Sequence, residues 1–342
     1  MKPIYSIALW LLPGLAASSA LAETPDLSGF AAVETRLFSR RPAFVGQETE
    51  PQISWVLNPE LRYRTADRAH QLSLMPYLRL DGTDDKRTHA DVREAYWRYA
   101  GNGWQVLAGA NIVFWGVTEF RHLVDVINQT DGVEDIDEED KLGQPMLQFN
   151  LQGDLGELQL FLLPTFRVNE TGTALIPTYE LIHQAGTDIQ LTHNAWLWKF
   201  EGIFREGHGD AFGALVSGFE YTRYQLLGTA ADLGLLMEFH LDERDADAPP
   251  TLFDNDLFLG SRLALNDIQD ASLLAGAVVD SSNQSTSLFV EAQRRFGDQW
   301  VAEVQGRFLT HVDANDPAAA AVARSGFSAR NDTLFCSRSD RA

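Results

Sequence analysis

The sequence predicts an all-β fold, and within that class a transmembrane antiparallel up-and-down β-barrel of about sixteen strands. Apolar and polar residues alternate through segments of roughly 10 to 13 residues, a pattern typical of strands with one apolar and one polar face. The gaps between these segments are short and long in turn. Beyond the N-terminus, the sequence has no run of roughly 18 apolar residues that could form a spanning helix.

The lengths of the gaps predict which way the barrel faces. When consecutive strands run up and down, every second gap lies at the same end of the sheet, and the long gaps are all of this kind. Outer-membrane barrels have short periplasmic turns and longer external loops, so both termini are expected on the periplasmic side. The long gaps fall near residues 41–50, 116–144, 167–184, 243–253 and 312–328.

The first 22 residues have the features of a secretory signal peptide. Lys2 is the only charge before Glu23, residues 4–15 are apolar, and Ala-Leu-Ala at residues 20–22 offers a cleavage site between small residues. The apolar run is too short for a spanning helix. We therefore expect cleavage near Ala22 and a mature barrel over residues 23–342, located in the outer membrane of a Gram-negative bacterium.

The alternation assigns the strands in chain order. Pro59, Pro76 and Pro164 fall in three of them, and because proline lacks a ladder donor we expect each at a bulge or near a strand end. Sixteen strands would enclose a water-filled lumen, since a barrel of about eight is filled by its own side chains. The predicted strands lie near residues 27–40, 51–64, 69–81, 88–100, 103–115, 145–153, 156–166, 185–193, 195–206, 210–225, 230–242, 254–266, 270–281, 285–296, 299–311 and 329–338.

A soluble sandwich of two antiparallel sheets is the alternative interpretation, because its strands alternate in the same way. In segment 195–205, Trp196, Trp198 and Phe204 share one face, whereas Lys199 and Glu201 share the other. Aromatic residues gather near strand ends, as at the interfaces of membrane barrels. The segments also exceed the usual strand length of about 5 or 6 residues in soluble proteins. Both observations favour the barrel.

Charged residues on the polar faces are the predicted lining of the channel. Charges in a low-dielectric wall need partners, so pairing across neighbouring strands is their simplest role. The near balance of signs predicts neither anion nor cation selectivity. The predicted pore-lining residues are Arg36, Glu60, Arg62, Arg79, Glu94, Arg98, Lys199, Glu201, Arg262, Glu291, Arg295, Glu303 and Arg307.

The longest gap, residues 116–144, is the predicted constriction loop. Loops of this length are uncommon unless they are functional or disordered. Its first half contains apolar residues with a short helical character, so we expect it to fold into the lumen and narrow it. Its second half, residues 134–140, is almost entirely acidic, and we expect a solvated charge run. The alternatives are binding of divalent cations between lipopolysaccharides and attraction of cations to the mouth. The predicted constriction residues are Trp115, Glu119, Arg121, His122, Asp125, Asn128 and Asp131.

Composition and motifs exclude several classes of function. The formal net charge of −21 argues against nucleic acid as a partner, because phosphate binding needs clustered Lys and Arg. The single cysteine, Cys336, cannot form an internal disulfide. The sequence has no nucleophile elbow, no His-Glu-x-x-His and no glycine-rich phosphate loop. We expect no enzyme activity, no cofactor and no metal site, and the sequence indicates no particular oligomeric state.

Several segments carry a resemblance to a known family. A glycine-containing stretch over residues 106–116 ends in Trp-Gly, and residues 124–128, Val-Asp-Val-Ile-Asn, and Asp131 follow it. Segments 218–222 and 232–235 add to the likeness. In these segments the chain resembles a poorly characterised family of proteobacterial outer-membrane β-barrel proteins, grouped with alginate-export and other porin-like barrels. The resemblance spans residues 27 to about 311 and implies a β-barrel porin without a known substrate.

The C-terminus departs from that family pattern. Barrels of this kind finish with an alternating strand and a terminal aromatic residue that the insertion machinery recognises, whereas residues 330–342 carry several charges and no final aromatic. The stretch after about residue 329 is therefore atypical for a closing strand. One interpretation of this departure is a truncated or frameshifted end.

The function expected from the sequence is a porin-like channel for passive or facilitated diffusion of small hydrophilic solutes. The first alternative is a substrate-dedicated exporter or uptake channel for a polysaccharide or another solute. The second is a barrel hydrolase, which would need Ser, His and an acid converging near the rim. The expected partners are outer-membrane lipid, lipopolysaccharide, the barrel-insertion machinery and the transported solutes.

Overall fold

The computed structural model describes residues 25–37, 51–134, 139–153, 156–164, 182–207, 209–245, 248, 251, 253–297 and 300–311. Within these ranges the regular structure consists of fifteen β-strands and two 3-10 helices, Asp85–Arg87 and Leu226–Gly228. No helix in this part of the chain is both long enough and apolar enough to cross a bilayer. The strands are β1 Asp26–Arg36, β2 Gln52–Arg64, β3 His70–Asp81, β4 His89–Ala100, β5 Trp104–Asn111, β6 Gln144–Gly153, β7 Gly156–Leu162, β8 His183–His193, β9 Trp196–Glu206, β10 Phe212–Arg223, β11 Asp232–Asp242, β12 Asn255–Ala264, β13 Ser272–Asp280, β14 Thr286–Phe296 and β15 Trp300–His311.

The strands form two antiparallel sheets in which sequence neighbours are also neighbours in space. The first sheet contains β1 to β7 in order, and the second contains β8 to β15 in order. Every ladder is antiparallel, as in the pairings of Ala32 with Val56 and of Glu201 with Val216. This simple up-and-down order confirms the predicted all-β, antiparallel class.

Fifteen of the predicted strands have an observed counterpart. The predicted strands 27–40, 103–115 and 156–166 extend beyond their counterparts, which end at Arg36, Asn111 and Leu162. The predicted sixteenth strand, near residues 329–338, and the predicted loop 312–328 lie outside the described residues. The count of sixteen therefore stays a prediction.

The long connections all lie at one end of the sheets, which we call the loop end; the opposite end is the turn end. The connections 37–51, 112–143, 163–182 and 243–254 are at the loop end. The strict alternation of short and long gaps is nevertheless wrong. The loop-end connection 207–211 is short, and the turn-end connection 224–231 is extended by a 3-10 helix with Leu227 at a positive φ of 52°.

The two faces of the strands are inverted relative to a water-soluble protein. Apolar side chains project outward, so that Trp55 and Leu191 are each 63% exposed. Intervening polar side chains are buried, as in Ser54 and Glu201, which are 3% and 0% exposed. Strand β8 differs, because its polar residues Asp188 and Gln190 are exposed. Water-soluble sandwiches have the opposite arrangement, with apolar faces packed together.

The prolines mark irregular points in the ladders. The register of β3 and β4 shifts between Met75 and Pro76, and Pro164 follows the end of β7. Pro59 lies opposite Gly29, whose φ of +113° and close approach leave no room for a Cβ atom, 2.2 Å from the carbonyl oxygen of Asn58. The positions of Pro76 and Pro164 agree with the expected bulge and strand-end sites. Pro59 differs, because it lies inside β2 and no register shift accompanies it.

Candidate functional site

The connection between β5 and β6, residues 112–143, crosses the interior and contacts both sheets; we call it the interior loop. Asn128 joins the two stems of this loop. Its Oδ1 accepts from the backbone N–H of Val113 at 2.8 Å, and its Nδ2 donates to the carbonyls of Asn111 and Leu142 at 2.8 and 2.9 Å. Because Val113 bonds to this side chain and not to a ladder partner, β5 ends at Asn111.

Two buried carboxylates of the second sheet hold the first half of the loop by its backbone. Glu201 on β9 accepts from the N–H groups of Val117 at 2.7 Å and Thr118 at 3.0 Å, and from the Thr118 hydroxyl at 2.7 Å. Glu238 on β11 accepts from the N–H groups of Glu119 and Phe120 at 2.6 and 3.1 Å. Four consecutive N–H groups, 117 to 120, therefore point into carboxylates that are almost fully buried.

An aromatic cluster reinforces this attachment. The ring of Phe120 lies 5.3 Å from that of Phe258, 5.5 Å from that of Phe289 and 5.0 Å from that of Phe253, measured between centroids. Phe258 is fully buried against Val278 and Leu236. The loop thus packs an apolar cluster against the inner face of the second sheet.

A further ion pair fixes the loop near the loop end. Arg121 donates to Asp242 at 3.0 Å and to the carbonyl of Phe253 at 2.9 Å. Arg244 also donates to Asp242, at 2.6 Å. Leu123 and Val124 of the loop pack in a buried cluster with residues of β9 and β10.

The second half of the loop contacts the first sheet with the donor and acceptor roles exchanged. Here the loop supplies the carboxylate and the sheet supplies the hydrogen-bond donors. Glu134 is 3% exposed and accepts from the Tyr77 hydroxyl at 2.6 Å and from Arg79. Arg36 and Arg87 donate to its backbone carbonyl. Burial would raise the pKa of Glu134, but the bonds from His89, Arg79 and Tyr77 outweigh burial and hold that pKa well below its ordinary value.

Asp131 and Asp125 complete the attachment. Arg93 donates to Asp131 at 2.8 Å, and its guanidinium lies 4.4 Å from the ring centroid of Tyr77. Lys141 pairs with Asp125 at 3.2 Å within the loop itself. All of these groups are buried or half-buried.

The carboxylate of Glu119, in the interior loop, lies beside the open part of the interior. It pairs with Lys199 at 3.3 Å and with Arg262, which also contacts Glu220 at 3.2 Å. Burial opposes ionisation, but Arg262 and Lys199 outweigh it and hold the pKa of Glu119 below its usual range.

Beside the loop, the two sheets enclose a cavity of 690 Å³. Such a volume lies within the range of small-molecule sites, about 300 to 1,000 Å³. The cavity receives charged, amide and apolar side chains from both sheets. Its lining includes Phe30, Glu34, Arg36, Asn58, Tyr77, Arg93, Glu119, Arg262, Leu274, Glu291, Gln293, Glu303 and Gln305.

One cluster has the composition of a metal site. His89, Asp131 and Glu134 bring one nitrogen and two carboxylate oxygens within 4.8 Å of one another. Arg93 already donates to Asp131, and Arg79 donates to Glu134. A divalent cation would have to displace both guanidinium groups, so we interpret the cluster as an ion-pair network.

The predicted pore-lining residues fall into three groups. Arg36, Arg79, Lys199, Glu201 and Arg262 contact the interior loop. Near the turn end, Glu60 pairs with Arg62, Glu94 accepts from Ser73, and Arg98 donates to Gln71. On β14 and β15 lie half-buried Glu291, Arg295, Glu303 and Arg307, of which Glu291 and Glu303 line the cavity.

The predicted constriction residues share the loop but do not form one surface. Glu119 and Arg121 reach the second sheet, Asp131 reaches the first, and Asp125 and Asn128 brace the loop itself. Trp115 is partly exposed and packs against Phe161, and the His122 ring lies 3.8 Å from Glu201.

The structure corrects the expectation of a solvated acidic run at its first residue. Glu134 is buried because arginines from β1, β3 and the connection after β3 converge on it. Glu139 and Asp140 are exposed, and residues 135–138 lie outside the described residues. The sequence analysis also missed Tyr77 and His89; only their positions on a polar strand face could have indicated them.

Comparisons with known proteins show a likeness of fold. No protein-family model matches the chain, and no curated protein matches its sequence. A Rhodopseudomonas blastica porin, in a triple mutant, is 12% identical with a TM-score of 0.51 over 93% of this chain and 99% of its own. OprB of Pseudomonas putida is 8% identical with a TM-score of 0.55 over 93% of this chain and 94% of its own. A BenF-like porin from Pseudomonas fluorescens Pf-5 is 8% identical with a TM-score of 0.57 over 92% of this chain and 97% of its own.

Proposed function

We propose that this protein is a porin-like channel of the outer membrane, through which small hydrophilic solutes diffuse. The observation that carries the proposal is the inverted arrangement of the strands, with apolar side chains outside and charged side chains inside. A surface carrying Trp55 and Leu191 at 63% exposure suits lipid and not water. A polar interior suits passage of hydrated solutes. The porin likeness in fold supports the same assignment.

We propose that the two sheets are parts of one closed barrel. β1 and β15 run in the same direction, from the turn end to the loop end, so they cannot pair with each other in an antiparallel barrel. One further strand running the opposite way is needed between them. The sequence predicts it near residues 329–338, which gives sixteen strands, an even number as in bacterial single-chain barrels.

Aromatic residues support a membrane boundary at the turn end. On the first sheet, the rings of Trp97, Tyr99 and Trp104 lie in a row with centroid distances of 6.4 and 5.2 Å. On the second sheet, the rings of Trp196 and Trp198 stack at 5.7 Å. Such rows are typical of the interface between lipid headgroups and hydrocarbon.

The interior loop narrows the proposed channel. It occupies the interior of the second sheet through Phe120 and reaches the first sheet through Glu134, which leaves the 690 Å³ cavity as the open space beside it. Glu119 and Arg262 border that space. We assign the channel no catalytic role. We place the turn end on the periplasmic side and the loop end outside, with the N-terminal segment acting as the export signal.

Reconstitution into planar lipid bilayers tests the proposal. The full chain is refolded in detergent, and its folded state is checked by heat-modifiable migration in gel electrophoresis. We expect stepwise conductance in salt solution from the folded protein and none from a heat-denatured sample. Absence of conductance from demonstrably folded and inserted protein would overturn the proposed function.

A further inference from the structure

The numbers of exposed negative and positive side chains are unequal at the loop end and equal at the turn end, among the described residues. We consider the connections together with the terminal residue of each strand. At the loop end, Lys86 is the single exposed cation among the described residues. The exposed carboxylates there are Asp85, Glu139, Asp140, Glu206, Asp210, Glu243 and Asp245.

The turn end has no such excess. By the same criterion, and again within the described ranges, its exposed carboxylates are Asp26, Asp67 and Asp270, and its exposed cations are Arg64, Arg68 and Arg223. Among the described residues of the connections and strand ends, the excess of exposed negative charge therefore lies at the loop end and not at the turn end.

The loop-end cations are removed from the surface by pairing. Arg87 is buried against Asp81 at 3.2 Å, and Arg121 and Arg244 share Asp242. These pairs neutralise buried carboxylates, so the three guanidinium groups add no exposed positive charge to the loop end. The cavity lining contains seven carboxylates and five Lys or Arg side chains, and two of those carboxylates, Glu139 and Asp140, belong to the loop-end set named above.

We propose that the channel selects cations, and that the loop end is the mouth that concentrates them. This inference rests on the proposed function. A mouth lined by one sign of charge raises the local concentration of counter-ions, and rings of Asp and Glu favour cations in pores. The solutes that fit are small inorganic cations and protonated amines. A polyanionic polysaccharide, the substrate class of an alginate-type exporter, would be repelled at this mouth.

The experiment measures the reversal potential of the reconstituted full-length protein under a KCl gradient. We expect a potential of the sign that corresponds to a higher permeability for K⁺ than for Cl⁻. The ratio is expected to fall as KCl is raised from 0.1 M to 1 M, because the Debye length shrinks from about 10 Å to about 3 Å.

A matched pair of triple variants locates the effect. Asp85→Asn, Asp210→Asn and Glu243→Gln together remove three exposed loop-end charges, and we expect the permeability ratio to fall by about two-fold or more at low salt. Asp26→Asn, Glu157→Gln and Asp270→Asn remove the same number of exposed charges near the turn end, and we expect a much smaller change.

The possible outcomes distinguish a failure of the inferred cation selectivity from a failure of the proposed channel function. A wild-type channel that conducts without selectivity, or prefers Cl⁻, overturns the inference and leaves the channel standing. Equal effects of the two triple variants overturn the placement of the selective mouth. Folded protein without any conductance overturns the proposed function and the inference together.

Discussion

The interior loop is attached to the two sheets in opposite ways. At the second sheet the wall supplies the carboxylates, Glu201 and Glu238, and the loop offers its backbone N–H groups. At the first sheet the loop supplies the carboxylates, Asp131 and Glu134, and the wall offers guanidinium groups. The aromatic cluster around Phe120 is present only at the second sheet.

This difference determines which amino-acid substitutions, in the loop or in the wall, each attachment is expected to tolerate. Every residue except proline has a backbone N–H, so the backbone hydrogen bonds to the second sheet depend mainly on the wall and little on the loop sequence over residues 117–120. The polar attachment to the first sheet depends on two particular loop side chains. We therefore expect the polar contacts to respond most strongly to wall substitutions at the second sheet and to loop substitutions at the first, whereas the apolar contact at the second sheet depends on the loop residue Phe120.

The largest effect is expected from Glu201→Ala. The change leaves the N–H groups of Val117 and Thr118 without their acceptor, and each unsatisfied buried group costs about 1 to 3 kcal/mol, so the loop attachment should weaken by roughly 4 kcal/mol. Hydrogen exchange of the loop amides, followed by mass spectrometry in lipid nanodiscs, measures this loss. Glu220→Ala is the matched control, because Glu220 bonds to Arg262 and not to the loop backbone. Equal exchange in the two variants would contradict the anchoring role.

A smaller loss is expected from Phe120→Ala. Removing a ring packed among three others should cost about 3 kcal/mol, from lost apolar burial and the cavity left behind. Urea unfolding of the protein in lipid vesicles measures the change in the free energy of unfolding. Phe114→Ala serves as the control, because Phe114 is 58% exposed and should cost well under half as much. A similar loss in both variants would show that Phe120 is not part of a packed core.

Glu134→Gln tests the first-sheet attachment separately. The variant keeps the shape of the side chain but removes the charge that faces Arg79 and His89, and we expect a cost of about 2 kcal/mol. Hydrogen exchange should rise around residues 131–134 and stay unchanged around residues 117–120. Loosening of both regions together would mean that the two attachments are one cooperative unit.

The smallest effect is expected from moderate acid. The pKa of Glu134 in the folded protein lies below its ordinary value of 4.5, so the unfolded chain binds the proton more readily. The stabilising contribution of Glu134 is therefore complete above that ordinary value and is lost only as pH falls below it toward the folded pKa. The protection factors of the amides around residues 131–134, which correct for the pH dependence of intrinsic exchange, should not fall between pH 7 and about pH 5. A loss of this protection above pH 5 would contradict the assigned ionisation of Glu134.

The strands were predictable because their signal is local. Alternation over ten or more residues, as in β2 and β9, needs no knowledge of distant parts of the chain. The end of β5 was not predictable in this way. Residues 112–115 continue the apolar pattern, but the backbone N–H of Val113 donates to the side chain of Asn128, 15 residues further along the chain.

The sequence predicted that the interior loop enters the interior, but it did not predict the ion-pair network that holds the loop. The length and apolar content of the loop indicated that it enters the interior. The burial of Glu134 depends on Arg36, Arg79 and Arg87, which come from separate segments far away in sequence. An acidic run looks solvated when only its neighbours are considered, because the arginines that neutralise it are brought close by the fold alone.

The outward apolar face of the strands has a consequence for assembly. In water the finished structure would expose Trp55, Leu57 and Trp198 to solvent, so burial of apolar surface cannot drive the chain to this state without a lipid or detergent phase. For the proposed outer-membrane channel, folding and insertion are then a single process. The buried polar contacts of the interior loop can form only once the surrounding wall is in place, so the loop should be among the last parts of the molecule to become ordered.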